Sequence, residues 1–196
     1  MYKFNKTYNQ LTESFKVLNN VEVDFILEKY FNSYKNGFIK NEDGTIDIKK
    51  SIYMPSELIR DGKLIVKFNN IHGDFVASCG TIHIQGQKLT SSEGLPKIVN
   101  GCFNINGQGL TNLIGCPHSV ASYYSAGMSE LQSLVGAPKI VYDFYVNDNF
   151  LTSLEGIPEQ ILGSLYIGDQ KSGKKFTIKE IKNKCIVKGN IHTDGI

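Results

Sequence analysis

Four twelve-residue segments of the chain lie on one another without a gap: Leu89-TSSEGLPKIV-Asn100, Leu110-TNLIGCPHSV-Ala121, Leu131-QSLVGAPKIV-Tyr142 and Leu151-TSLEGIPEQI-Leu162. Their leading leucines are spaced 21, 21 and 20 residues apart. Each segment keeps glycine at its sixth position (Gly94, Gly115, Gly136, Gly156) and proline at its eighth (Pro96, Pro117, Pro138, Pro158). A period of this length is the mark of a stacked repeat, in which one unit cannot bury its apolar face without its neighbours. The fourth segment also holds a decoy. Thr152 and Glu155 are spaced as in a helix capping box, yet Gly156 and Pro158 break any helix that would follow. The recurrence makes this stretch a corner of a coil, with Leu151 and Leu154 as inward anchors.

After each proline comes a short alternating stretch, with Phe103/Ile105, Tyr124/Ala126, Phe144/Val146 and Leu165/Ile167 as its apolar members. Alternation of period two predicts strands with one buried face. Only one of Tyr123 and Tyr124 can then face the core. The first inward residue precedes the next leucine by seven at three successive junctions, so strand and leucine share one register. The third unit is one residue short between Pro138 and Phe144, where a corner can absorb the loss. Phe75 and Ile82 extend the seven-residue spacing upstream. They predict earlier strands at Asp74-FVAS and Thr81-IHIQ, with an irregular start or a hairpin between them.

The pairs Leu110/Leu113, Leu131/Leu134 and Leu151/Leu154 resemble leucine-rich repeats, and residues 141–151 read close to the whole consensus, with Asn149 at its asparagine position. The other units hold Gln108, Ser129 and Gln170 there, so no continuous asparagine ladder is expected. The phrase LTSLEGIPEQILGSLYI, with NEDGTIDIKK at residues 41–50 and IHGDF at residues 71–75, resembles a family of tailed-phage proteins built from LTSLEG-x-P units. The resemblance covers about Phe38 to Asn190. It implies an architecture and a phage setting rather than an activity.

The expected fold is therefore α+β: a leucine-rich-repeat-like β-solenoid with parallel strands, capped at both ends because an open end exposes apolar rungs and strand edges. Residues 1–60 are assigned to an N-terminal cap. It holds an amphipathic segment around Leu11, Phe15 and Leu18, and a helix from Asn20 to Tyr34 with Val23, Leu27 and Tyr30 on one face. A hairpin of Phe38-IK and Thr45-IDI turns at Asp43-Gly44. Residues 61–170 form the solenoid, with clear units from Leu89. Residues 171–196 form a small C-terminal cap, with a short helix in FTIKEIKNK and a final strand in CIVKGN.

Composition narrows the function. The net charge is +2, from 21 basic and 19 acidic residues, which fits neither a dedicated nucleic-acid binder nor a DNA mimic. No apolar run suggests a signal segment or a membrane span, so a cytoplasmic protein is expected, without membrane association. Its cysteines, Cys79, Cys102, Cys116 and Cys185, form no C-x-x-C pair and are expected to stay reduced. His72, His83, His118 and His192 lack zinc-motif spacing, and no metal or cofactor is expected. Cys102 and His83, placed on adjacent strands, come out about 8 Å apart diagonally, too far for a nucleophile and its base. Cys116 sits in a slot otherwise held by Leu95, Ala137 and Ile157 and reads as packing. The Gly-rich stretches NGQG and GDQKSGKK do not match a phosphate loop. Lys171, Lys174, Lys175 and Lys179 read as a solvated face, and nucleic acid is not expected as a partner.

The outward strand positions carry the functional expectation. Aligned strands place His83, Asn104, Ser125, Tyr145 and Tyr166 in one row, and Thr81, Cys102, Tyr123, Asp143 and Ser164 in the row two residues earlier. Tyrosines concentrate on the last three strands. Aromatic anchors on a repeat surface suit protein recognition, although tyrosine also favours strands for its own sake. The expected protein is a non-enzymatic binding module using His83, Asn104, Tyr123, Asp143, Tyr145 and Tyr166. In the phage setting that the resemblance implies, its partner is a host bacterial protein, bound or inhibited in the host cytoplasm for counter-defence or takeover. The competing expectations are a self-assembling structural solenoid and, more remotely, an enzyme.

Overall fold

The computed structural model of the chain describes residues 22–31, 37–77 and 88–193. The segment around Leu11, Phe15 and Leu18, the helix ends at Asn20 and Tyr34, and the Thr81-IHIQ stretch lie outside the described residues. Helix α1, residues 22–31, turns Ile26, Leu27 and Phe31 into the core. Strands β1 (Phe38–Lys40) and β2 (Ile46–Ile48) pair antiparallel across a turn in which Gly44 takes a φ of 78°. The hairpin's second strand is also the first rung of the coil, because β2 pairs in parallel with β6 (Phe68–Ile71).

From there the chain winds through about six turns and lays one short strand on each of two faces per turn. The first face carries β2, β6, β8 (Ile98–Val99), β10 (Ser119–Val120), β12 (Ile140–Val141), β14 (Gln160–Ile161) and β16 (Ile186–Val187). The second is one continuous seven-stranded sheet. Its strands are β3 (Ile52–Tyr53), β7 (Phe75–Val76), β9 (Phe103–Asn104), β11 (Tyr124–Ser125), β13 (Phe144–Tyr145), β15 (Leu165–Tyr166) and β17 (Ile191–His192). Every neighbouring pair in that sheet is parallel. A small antiparallel pair, β4 (Ile59–Arg60) and β5 (Lys63–Leu64), lies in the first turn. The α+β, leucine-rich-repeat-like parallel solenoid anticipated from the sequence is the observed fold. The repeat pattern predicts parallel strands on one face and loops on the other, whereas the structure has strands on two faces.

All the inward residues named from alternation are buried, and Tyr124, not Tyr123, faces the core. Phe75, Phe103, Tyr124 and Phe144 form a column of rings along the axis, with successive centroids 5.4, 4.9 and 5.5 Å apart. Each fully buried side chain of this size contributes about 1.5–3 kcal/mol, and stacking lets every rung share that burial with its neighbours.

The third side of each coil holds the L-x-x-L stretches, and here a tight turn recurs. Leu95, Cys116, Ala137 and Ile157 donate their N–H to the carbonyls of Ser92, Leu113, Leu134 and Leu154. The third residue of each turn is the repeated glycine, with φ of 89°, 83°, 100° and 81°, as a type II turn requires. Residues 151–156 form no helix. Before the strand side closes, Gln108, Ser129, Asn149 and Gln170 occupy one buried column. Asn149 accepts from Leu131 N–H and donates to the Ala126 and Val146 carbonyls. Gln108 and Gln170 repeat that pattern on Leu89 and Leu151. Ser129 departs from it, accepting the Gln108 N–H and donating to the Gly127 carbonyl, so the pattern is shared by three members of the column, only one of them asparagine.

The two faces respond differently to the short third unit. Val99–Phe103, Val120–Tyr124 and Ile161–Leu165 are four residues apart, whereas Val141–Phe144 are three apart. The missing residue therefore falls at the corner between β12 and β13. Strand β13 keeps full register with β11. On the first face the hydrogen-bonded ladder stops at β10 and restarts at β12, leaving a cleft of about 490 Å³ lined by His118, Ser119, Val120, Ala137, Pro138, Lys139 and Ile140.

Candidate functional site: the outer face of the second sheet

One expectation from the sequence needs correction. Strand β9 is flanked by β7 and β11: Phe75 N–H donates to the Cys102 carbonyl and Ala77 N–H to that of Asn104, both at 2.8 Å, while Phe103 N–H donates to Tyr123. Both edges of β9 are taken, so Thr81-IHIQ has no place between Phe75 and Phe103. Val76 and Asp74, not His83 and Thr81, stand beside Asn104 and Cys102. Phe75 lies fourteen residues before Leu89, where the later coils use seven. Ile82 and His83 lie outside the described residues, and the adjacent-strand placement behind the Cys102–His83 pairing is overturned.

The register of the remaining strands is as expected. The outward row runs Tyr53, Val76, Asn104, Ser125, Tyr145, Tyr166 and His192. Its last three members stack. The rings of Tyr145 and Tyr166 lie 4.4 Å apart and 7° from parallel, and those of Tyr166 and His192 lie 4.3 Å apart and 3° from parallel. Tyr123, in the row nearer the corner, meets Tyr145 edge-on at 5.9 Å and 81°. Parallel strands sit about 4.8 Å apart, so identical positions on successive rungs bring flat rings to stacking distance without any special loop.

The other proposed site residues divide by role. Asn104 accepts from the N–H of Asn106, closing its own turn. Asp143 accepts the N–H of Ser164 from the next rung at 2.6 Å, and Asp74 does the same for Cys102 at 2.8 Å. These carboxylates fasten corners. Gly163 leaves room for the first, since a Cβ there would fall 2.1 Å from the Asp143 carboxylate. Asp143 therefore borders the aromatic ladder without being free to swing into it.

His192 and Tyr53 were missed from the sequence. A signal for His192 existed: Val187 and Ile191 are four apart, as in three of the four preceding rungs, so CIVKGN is followed by a second strand. Tyr53 had none, because the coils on either side of it differ in length from the repeat.

Burial against the sheet, then the Asp143 carboxylate and the Tyr166 hydroxyl, raise the Tyr145 hydroxyl above its usual range. Burial and the Cys102 thiol do the same to Tyr123. Both are therefore neutral donors at physiological pH. Elsewhere, burial pushes the Cys116 thiol up to about 12 and that of Cys185 up to about 11, which removes them as nucleophiles. Among the described residues, no group of three or more His, Cys, Asp and Glu could hold a metal, and no helix is long and apolar enough to cross a membrane. The face offers flat apolar rings tipped with neutral hydroxyls on a rigid support.

The fold places the protein in the class of capped parallel β-solenoids. Comparison of the chain with protein-family models, with curated proteins and with solved structures returns no match.

Proposed function

We propose that the protein is a non-enzymatic, leucine-rich-repeat-like module that binds another protein through the aromatic ladder. The observation that carries this reading is the stack of Tyr145, Tyr166 and His192. Large aromatic side chains dominate binding energy at protein interfaces. Rings already stacked on one another lose little rotameric freedom on docking, which lowers the cost of association. The resemblance to tailed-phage LTSLEG-x-P proteins supplies the setting. The partner is a host bacterial protein, sequestered or inhibited in the host cytoplasm during counter-defence or takeover.

An affinity capture from bacterial lysate, with the intact chain as bait, tests the reading. Wild type enriches a protein that the Tyr145→Ala/Tyr166→Ala variant fails to enrich, while the circular dichroism of the variant is unchanged. Equal capture by both baits, or no enrichment by either, rejects it.

A further inference from the structure

The two ends of the coil are finished differently. At the N-terminal end, β1 covers the outer edge of β2. At the C-terminal end, helix α2 (Ile178–Lys182) buries Ile181, and Phe176 and Glu180 share a cleft with Thr152, Ser153 and Leu154 of the L-x-x-L side. Among the described residues, strands β16 and β17 are the terminal strands of their sheets. Ile186 and Lys188 donate their N–H groups back to Glu159 and Ile161, so Val187 between them turns its N–H and C=O to the open side. Asn190 and His192 accept from Leu165 and Ile167, which leaves Ile191 in the same position on β17.

This edge is strongly charged. Residues 171–188 hold seven lysines against one acidic residue, Glu180, although the whole chain has a net charge of only +2. Lys174 pairs with Glu180 at 2.9 Å. Lys175, Lys179, Lys182, Lys184 and Lys188 are exposed, and ion pairing among the described residues involves none of them. Ile178 and Ile186 stand among them, 48% and 64% exposed.

We propose that the last rung is a second interaction surface, on which an extended acidic segment of a partner protein adds a further strand. Main-chain hydrogen bonds to Val187 or Ile191 supply the pairing. Carboxylates on the incoming segment meet the unpaired lysines, and its aliphatic side chains cover Ile178 and Ile186. A second copy of the chain is disfavoured as occupant, because two such ends repel each other and on the first sheet β1 closes the opposite edge, although β3 leaves the second sheet's edge unpaired among the described residues. Nucleic acid is disfavoured because the exposed isoleucines give phosphates nothing to bind, and the ladder's rings occupy one another's faces. The surface adjoins the aromatic ladder at His192 on β17 but uses neither Tyr145 nor Tyr166.

The test uses the full chain and a fluorescent peptide of alternating glutamate and valine, followed by anisotropy at low salt. Saturable binding is expected. It weakens by at least about tenfold in Lys182→Glu/Lys184→Glu/Lys188→Glu, with Lys→Gln at the same positions intermediate. It is lost when alternate peptide nitrogens are methylated, and it is unchanged in Tyr145→Ala/Tyr166→Ala, so this proposal and the ladder can fail separately. The proposal is overturned by equal binding of a lysine–valine peptide or of the methylated peptide. It is also overturned if oligothymidylate binds while the acidic peptide does not, or if light scattering shows the chain associating with itself through this edge.

Discussion

At the scale of single residues, the repeat is held by positions that tolerate one side chain or none. Gly156 has a φ of 81°, and a Cβ there would sit 2.2 Å from the Val135 backbone nitrogen. Gly156→Ala therefore meets both backbone strain and a collision with the preceding turn. It is expected to cost at least about 2 kcal/mol in urea denaturation. Tyr124 offers the reverse case. Its ring belongs to the core column, but its buried hydroxyl makes no hydrogen bond of ordinary geometry among the described residues, with only the weakly interacting Cys116 thiol close to it. An unpaired buried hydroxyl costs about 1–3 kcal/mol, so Tyr124→Phe, which keeps the ring, is expected to raise the thermal midpoint. A lowered midpoint would show that the hydroxyl does find a partner, with the Cys116 thiol as the nearest candidate.

At the scale of elements, one motif meets two fates. Thr152/Glu155 and Thr177/Glu180 have the same spacing, yet only the second begins a helix. There Thr177 caps the Glu180 N–H, and the Glu180 carboxylate returns to the Thr177 N–H at 2.7 Å. In the first, Ser153 rather than Thr152 bonds the Glu155 N–H, and the glycine that follows turns the chain. The contrast lies in what comes next: Gly156 and Pro158 in one case, Ile181 with a core to enter in the other. Hydrogen bonds from Lys174 and Thr177 hold the Glu180 carboxyl down to about 2, from an ordinary 4.5. A depressed carboxyl stabilises the fold above its unfolded value and loses that contribution as pH falls toward the folded one. The cap of α2 is thus expected to weaken between about pH 5 and pH 2. Glu180→Gln should flatten that part of the stability profile, measured as the urea midpoint against pH.

At the scale of the whole molecule, stability follows from how many neighbours a rung has. Strands β9, β11 and β13 are bonded on both sides within the second sheet, while β3 and β17 are bonded on one. Hydrogen exchange should therefore be slowest at Ile105 and Ala126, whose N–H groups bond to the next rung at 2.8 Å. It should be fastest at Tyr53 and Ile191, on the open edges. Uniform protection along the axis would contradict rung-by-rung stability. The third coil also holds an internal boundary, since the ladder of the first face is interrupted between β10 and β12 while the second face stays whole. The aromatic stack depends on this scale too, because Tyr145, Tyr166 and His192 meet only through the in-register pairing of β13, β15 and β17.

The sequence by itself determined the period, the glycine corners, the buried row and most of the outer row. These depend on local alternation and on spacing that repeats, and both are written in the order of residues. Only the tertiary structure decided which strand lies beside which. A seven-residue spacing placed Ile82 and His83 on a rung, but hydrogen bonding gave that rung to Phe75 and Val76, because each strand has two edges and both edges of β9 were filled. The polar column of Gln108, Ser129, Asn149 and Gln170 was equally hidden. Gln108, Asn149 and Gln170 meet the same backbone demand there with different side chains, and that demand exists only once the coils are stacked.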